Sequence, residues 1–252
     1  MKTIKPFSIF FLMLFLSSSL YAQLPEEIQW KHLQKNYAAD STKLELSLNN
    51  KLLQGKYKIP LDNNSFALYE IKKGLISGEA FWYTNNGNVE CKLNYKNGVR
   101  NGLKENYDSD GATWLREEYK DGKKDGTSEM YNSGKISSKS DYKKGKKDGL
   151  SISYSNGQVM TQTNYKEDKR NGLSSTFFNG VIATENNYLN DVQDGLGTMY
   201  AMGKKNMDAI FKNGQRHGVA HMYKPDGTVL FESYFLLGTK VSKEEYENYL
   251  KN

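Results

Sequence analysis

A glycine recurs through this chain at almost constant spacing: Gly78, Gly102, Gly126, Gly149, Gly172, Gly195 and Gly218, in steps of 24, 24, 23, 23, 23 and 23 residues. Four residues before each stands Gly74, Gly98, Gly122, Gly145, Asp168, Asp191 or Gly214. Five residues after each stands Tyr83, Tyr107, Tyr131, Tyr154, Phe177, Tyr200 or Tyr223, and a third glycine closes every unit. Self-similarity at this period marks stacked supersecondary units. The intervals between glycines are too short for helices.

The dipeptides Asn97-Gly98, Asp121-Gly122 and Asn213-Gly214 accept positive φ, the requirement of tight hairpin turns. Between them Leu150, Ile152 and Tyr154 alternate with Ser151 and Ser153, the period of a strand. Each unit therefore reads as two short strands and two turns. Gly98, Gly102, Gly122, Gly126, Gly145, Gly149, Gly172, Gly195, Gly214 and Gly218 are the expected turn residues. One hairpin is marginal in water, so stability must come from stacking on the next. The expected fold class is all-β: an elongated single-layer antiparallel β-sheet of stacked β-hairpin repeats. About fifteen strands at ~4.8 Å each make a ribbon on the order of 70 Å long. Its aromatic rank is expected on one face, with Lys, Ser, Asn and Glu on the other.

The array spans residues 46–238, with about seven full units and degenerate ends. At the start, LSLNNKLLQGKYKIPLDNNSF (46–66) keeps Gly55 and Asn64 but has Pro60 in the aromatic slot. At the finish, Tyr234 and Gly238 open an eighth unit that changes character. There GTKVSKEEYENYLKN reads as a short C-terminal capping helix within 239–252, with Ser242 and Glu245 as a capping box. Folded over the last strand, it would shield an unpaired edge. Residues 23–45 form an N-terminal segment or cap, open between a short helix and another degraded hairpin.

The stretch FKNGQRHGVAHMYKPDG (211–227) resembles the MORN repeat, with its aromatic-x-Asn-Gly-x-x-His-Gly followed by an aromatic and an Asp-Gly turn. Units such as YKDGKKDGTSEMYNSG (119–134) resemble the bacterial variant found in YwqK-type antitoxin-like proteins. The resemblance implies a MORN-like β-hairpin array and a non-enzymatic binding scaffold.

Composition agrees with a thin structure. Only 37% of residues are hydrophobic, while Tyr (18) outnumbers Phe (11) and Trp (3); tyrosine half-buries its ring and keeps its hydroxyl wet. The opening MKTIKPFSIFFLMLFLSSSLYAQ carries two lysines, a short apolar run and small residues up to Ala22. It reads as a signal peptide, residues 1–22, cleaved before Gln23, which implies export to the periplasm or beyond. Removing Lys2 and Lys5 takes the formal charge from +6 to +4. Cys91 is the single cysteine, so no internal disulfide is available.

The residues offer no catalytic constellation, no metal site and no cofactor motif. His32, His217 and His221 are the only histidines. His217 occupies a turn slot filled elsewhere by Asp125, Asp148 or Asn171, which makes it a structural residue. The candidate partner-binding face is the rank Tyr107, Tyr131, Tyr154, Phe177, Tyr200 and Tyr223: rings that stack on one another as the core, or dock a partner, or both. The expected partner is another protein, with no role for nucleic acid. An alternative is an antitoxin-like or immunity-like inhibitor that covers a toxin. Another is association with a membrane surface through the basic turns. Lys120, Lys123, Lys124, Lys143, Lys144, Lys146, Lys147, Lys166, Lys169 and Arg170 line that edge, interrupted by acids.

Overall fold

Turn chemistry organises the chain. In a computed structural model, which describes residues 25–37 and 43–251, both central residues of successive two-residue turns have positive φ. Examples are Asp121 (49°) with Gly122 (81°), Asn156 (51°) with Gly157 (81°), and Glu167 (50°) with Asp168 (70°). These are type I′ hairpins, whose twist matches that of the flanking strands. The segment read as a signal peptide lies outside the described residues.

The N-terminal end is built differently from the rest. Its strands are β1 (Glu26–Glu27), β2 (Gln34–Tyr37), β3 (Leu44–Leu48), β4 (Lys51–Leu52), β5 (Gly55–Pro60), β6 (Phe66–Lys72) and β7 (Leu75–Ile76). Strands β2, β3 and β4 form a separate small sheet. Strand β1 pairs in parallel with β5, and β5 pairs antiparallel with β6. Ile28, Leu33, Leu46, Leu53, Tyr57, Ile59 and Ile71 close a core between these elements. Each such side chain contributes about 1.5–3 kcal/mol on burial. The small sheet is also stitched to the ribbon, since Leu46 N–H donates to Gly74 O and Gly74 N–H to Leu53 O. This end therefore has two layers, and residues 46–52 belong to the second sheet instead of a faded ribbon hairpin. Leucines spaced through 44–53 supply enough apolar surface for a second layer, which the later units lack.

From there a single sheet runs on by consecutive antiparallel pairing: β8 (Gly78–Tyr83), β9 (Val89–Lys96), β10 (Val99–Tyr107), β11 (Thr113–Lys120), β12 (Lys123–Asn132), β13 (Lys135–Lys143), β14 (Lys146–Ser155) and β15 (Gln158–Lys166). It continues through β16 (Lys169–Phe178), β17 (Val181–Leu189), β18 (Val192–Ala201), β19 (Lys204–Lys212), β20 (Gln215–Tyr223), β21 (Val229–Leu236) and β22 (Thr239–Val241). Most strand residues from β10 onward are half-buried on both faces, as a single layer requires. Units stitch to one another at the tips. Gly122, Gly145, Asp168, Asp191, Gly214 and Gly238 each donate their N–H to a carbonyl of the preceding unit.

Helix α1 (Lys243–Lys251) closes the chain with the expected box: Ser242 N–H donates to Glu245, and Glu245 N–H to the Ser242 hydroxyl. Its position differs from the expectation. Tyr246 packs 5.4 Å from Tyr234 and Tyr249 lies 5.9 Å from His217, so the helix lies on a sheet face. Strand β22 pairs only with Tyr234–Leu236. The outer edge of Val229–Ser233 carries no strand among the described residues.

Candidate functional site

Register assigns every side chain to a face, because residues directly opposite in an antiparallel pair point the same way. One row crosses the ribbon as Leu93, Lys104, Glu117, Ser128, Ser140, Ser151, Thr163, Ser174, Asn186, Gly197, Ala209, Ala220 and Ser233. These residues lie on the first face. Two positions further along alternate strands of that face stand Tyr95, Tyr119, Tyr142, Tyr165, Tyr188, Phe211 and Phe235.

Each ring of this rank sits directly opposite the repeating glycine: Gly102 faces Tyr119, Gly126 Tyr142, Gly149 Tyr165, Gly172 Tyr188, Gly195 Phe211 and Gly218 Phe235. Cations complete a ladder. Arg100 lies over Tyr119, Lys124 over Tyr142, Lys147 over Tyr165, Arg170 over Tyr188 and Arg216 over Phe235, at 4.0–5.5 Å. Lys124, Lys147 and Arg170 also stand directly opposite Tyr119, Tyr142 and Tyr165 of their own hairpins, so each cation's residue is flanked by two rings of the rank. Every such contact contributes about 0.5–1 kcal/mol at this exposure.

The row beneath is small and polar, joined by Ser140–Ser151 (2.7 Å) and Thr163–Ser174 (2.8 Å) hydroxyl pairs. Glu117 is its one buried carboxylate. Burial by itself would raise its pKa, but bonds from Lys124 and Tyr119, with Lys104 nearby, outweigh this and hold it below the usual range.

The glycines expected in turns fall into two classes. Gly98, Gly122, Gly145 and Gly214 occupy hairpin tips at φ 80–91°. Gly102, Gly126, Gly149, Gly172, Gly195 and Gly218 lie inside strands at φ 100–122°. There three residues of one strand oppose one of its partner, as when Asp148, Gly149 and Leu150 face Asp141 between the pairs Tyr142–Lys147 and Ser140–Ser151. The residue preceding this bulge glycine caps the next turn: Asp125, Asp148 and Asp194 accept the N–H of Lys144, Glu167 and Asn213, and His217 Nδ1 accepts that of Leu237. An acceptor at this one slot explains why Asp and His interchange there.

The candidate rank Tyr107, Tyr131, Tyr154, Phe177, Tyr200 and Tyr223 lies on the opposite face. The single aromatic face expected from the repeat is thus two ranks on two faces, because the two series stand at opposite parity in their strands. Nor does the candidate rank stack on itself: among the described residues, no ring pair joins two of its six members. The hydroxyls go to carboxylates instead. Tyr107 donates to Glu105 (3.2 Å), Tyr131 to Glu129 (2.7 Å), Tyr200 to Glu185 (2.6 Å) and Tyr223 to Asp208 (2.7 Å). Lys139 donates to Glu129, and His221 Nδ1 and Lys205 also reach Asp208. Tyr154 and Phe177 stand beside Ile152 and Ser175; among the described residues no carboxylate accepts the Tyr154 hydroxyl, and Phe177 has none to donate.

Two open depressions indent this second face. One of about 870 Å³ is bordered by Lys96, Arg116, Glu118, Lys120, Glu129 and Lys139 over a floor of Leu103 and Thr127. The other, about 490 Å³, lies between Phe81, Lys92 and Tyr107. Among the described residues no cluster of three or more His, Cys, Asp or Glu has metal-binding geometry, and no helix is long and apolar enough to cross a membrane.

The tyrosine–carboxylate bonds carry a pH signature. The bond to Glu185, with burial, pushes the Tyr200 hydroxyl up to about 12; burial and the bond to Asp208 do the same to Tyr223. A phenol whose pKa rises on folding adds stability that is complete below its unfolded value near 10 and vanishes as pH climbs through about 12. Thermal melts of the parent and of a Tyr200→Phe/Tyr223→Phe variant should differ at pH 8 and converge between pH 10 and 12. A constant gap across that range would contradict the assignment.

Residues 76–97 match the family model for the MORN repeat variant. The matched segment carries Gly78, Tyr83, Gly87 and Tyr95, and its glycine and aromatic positions recur in the same register through β21. No curated protein matches the chain.

Proposed function

We propose that this chain, a carrier of the MORN repeat variant, is a non-enzymatic scaffold that docks a partner protein on its second face, through Tyr107, Tyr131, Tyr154, Phe177, Tyr200 and Tyr223. The observation that carries the reading is a regular rank of half-buried rings along one sheet face, four of them tethered through their hydroxyls to carboxylates. Tethering fixes the ring orientation before a partner arrives, which lowers the entropy cost of docking. Aromatic anchors of limited rotamer freedom are the residues that dominate protein interfaces. The first face is less suited to this work, because five rings of its rank already lie beneath cations of the sheet, against Tyr223 beneath Lys205 in the second-face rank.

Export through residues 1–22 belongs to the same proposal, with the mature chain starting at Gln23. The scaffold would then act outside the cytoplasm.

Capture of partners from envelope extracts by the mature chain tests the reading, with a Tyr131→Ala/Tyr154→Ala/Phe177→Ala variant as control. The variant is expected to fold and to lose the partner. Equal recovery of every partner by both folded forms would remove this face as the site.

A further inference from the structure

Three successive hairpins set lysine against lysine. Lys120 pairs with Lys123, Lys143 with Lys146 and Lys166 with Lys169, directly across the strands beside each turn. Flanking hairpins do otherwise, with Lys96 against Val99, Leu189 against Val192 and Lys212 against Gln215. Like charges in direct register destabilise a hairpin. The three pairs therefore work against the fold and need another explanation.

All six side chains are exposed. Among the described residues only Lys146 forms an ion pair, with Glu167 at 3.6 Å. Several acids of these turns are engaged with backbone. Asp125, Asp148, Asp168 and Asp141 accept the N–H of Lys144, Glu167, Lys147 and Leu150. Other carboxylates nearby are Glu118 and Asp121 at the first of the three hairpins, Glu167 at the third, and Asp191, which Arg170 engages. The result is a cationic comb along one border of the second face.

We propose that this comb binds a linear acidic polysaccharide laid across the hairpin tips. Charge complementarity sets the sign of the ligand. Its shape follows from the spacing: one lysine pair per hairpin, every ~10 Å as two strands dictate, suits a long polymer with regularly repeated carboxylates or sulfates. Its class follows from what surrounds the charges. The six charges of the comb are ammonium groups. The guanidiniums beside it are engaged by carboxylates, Arg116 with Glu105 and Arg170 with Asp191, so the comb presents no guanidinium fork to grip a phosphate in two places. It offers no ring on which a nucleobase could stack. Tyr119, Tyr142 and Tyr165 are on the other face, and Tyr131, Tyr154 and Phe177 are at the far ends of their strands. The comb uses none of the aromatic side chains assigned above to a protein partner, so either reading can fail alone.

Alginate, a linear polymer of uronic acids, is the probe, titrated into the full mature chain at low ionic strength. Binding is expected, weakening as salt rises. A Lys123→Glu/Lys146→Glu/Lys169→Glu variant turns each like-charge pair into an opposite-charge pair. It should melt no lower than the parent yet bind more than about a hundredfold more weakly, since loss of each lysine charge alone costs about fivefold. The matching Lys→Gln variant, which removes the three charges without adding acids, should bind on the order of a hundredfold more weakly. A charge-matched Lys212→Glu/Lys224→Glu/Lys240→Glu variant should bind as the parent does, as should Tyr131→Ala/Tyr154→Ala/Phe177→Ala. Absence of alginate binding by the parent, full binding by the comb variants, or equal loss in the charge-matched control would each overturn the proposal. So would equally tight binding of single-stranded DNA or of phosphatidylglycerol vesicles, which would replace a polysaccharide site with a general polyanion or lipid surface.

Discussion

Gly149→Ala should cost about 3 kcal/mol, among the largest single effects expected in the regular part of the ribbon. Two causes add. The backbone at φ 122° is a region that residues with a Cβ rarely adopt. The new methyl would also meet Asp141 Cβ at 2.9 Å, a side-chain atom that cannot move away without its strand. For a chain of this size the loss lowers the melting temperature by roughly 6–12 °C. Gly172→Ala supplies the internal comparison. Its φ is 100° and its Cβ would lie 3.5 Å from Asn164 Cβ, an ordinary contact, so only the backbone strain of about 1–2 kcal/mol remains. Each unit touches only its neighbours, so a weak unit in the middle of the array should let the two halves unfold separately. Urea unfolding read by circular dichroism checks both points. Equal midpoints for the two variants would refute the steric account.

Truncating the first-face ladder should damage the fold far more than truncating the candidate docking rank. Tyr142 stands between Lys124 and Lys147, opposite Gly126, and shelters the serine row. Removing a half-buried ring of this kind costs about 2 kcal/mol, below the 3–5 of a fully buried aromatic. Tyr142→Ala and Tyr165→Ala share Lys147, which is opposite the first and over the second. The double variant should therefore lose less than the sum of the singles, by about 0.5 kcal/mol or more. On the second face, Tyr131→Ala and Tyr154→Ala should cost about 1 kcal/mol each, through partial ring burial and, for Tyr131, a surface hydroxyl bond. Chemical denaturation of the four singles and the Tyr142→Ala/Tyr165→Ala double decides the matter. Equal losses on both faces would mean that the two ranks share the structural role.

Much of this was legible in the residues. The 23-residue step, the Asn-Gly and Asp-Gly dipeptides and the alternation around Leu150 predict consecutive hairpins, and consecutive hairpins are what form. The capping box at Ser242 and Glu245 is likewise local chemistry read directly. The opposed faces of the two aromatic ranks were also available. With Lys143 and Lys146 flanking a two-residue turn, Tyr142 pairs with Lys147, and Tyr154 then falls at the opposite parity. The bulge at Asp148-Gly149-Leu150 adds two residues and leaves that parity unchanged. The cation ladder had a signal too, a basic residue two positions after most of the proximal turns. Its meaning depends on which rings lie above, and that belongs to the neighbouring unit.

The sequence by itself determined the repeat, the turn type and the strand order, because each depends on residues close together in the chain. Backbone that must take positive φ at Gly98 or Gly122 does so whatever lies around it. Only the tertiary structure decided that the second glycine of each unit is a bulge inside a strand, that Lys124, Lys147 and Arg170 lie over rings of the neighbouring unit, and that residues 44–52 leave the ribbon to form a second layer. These outcomes turn on contacts between units or between sheets. Their free energy depends on what a neighbour presents across the strand, which no window of one unit contains.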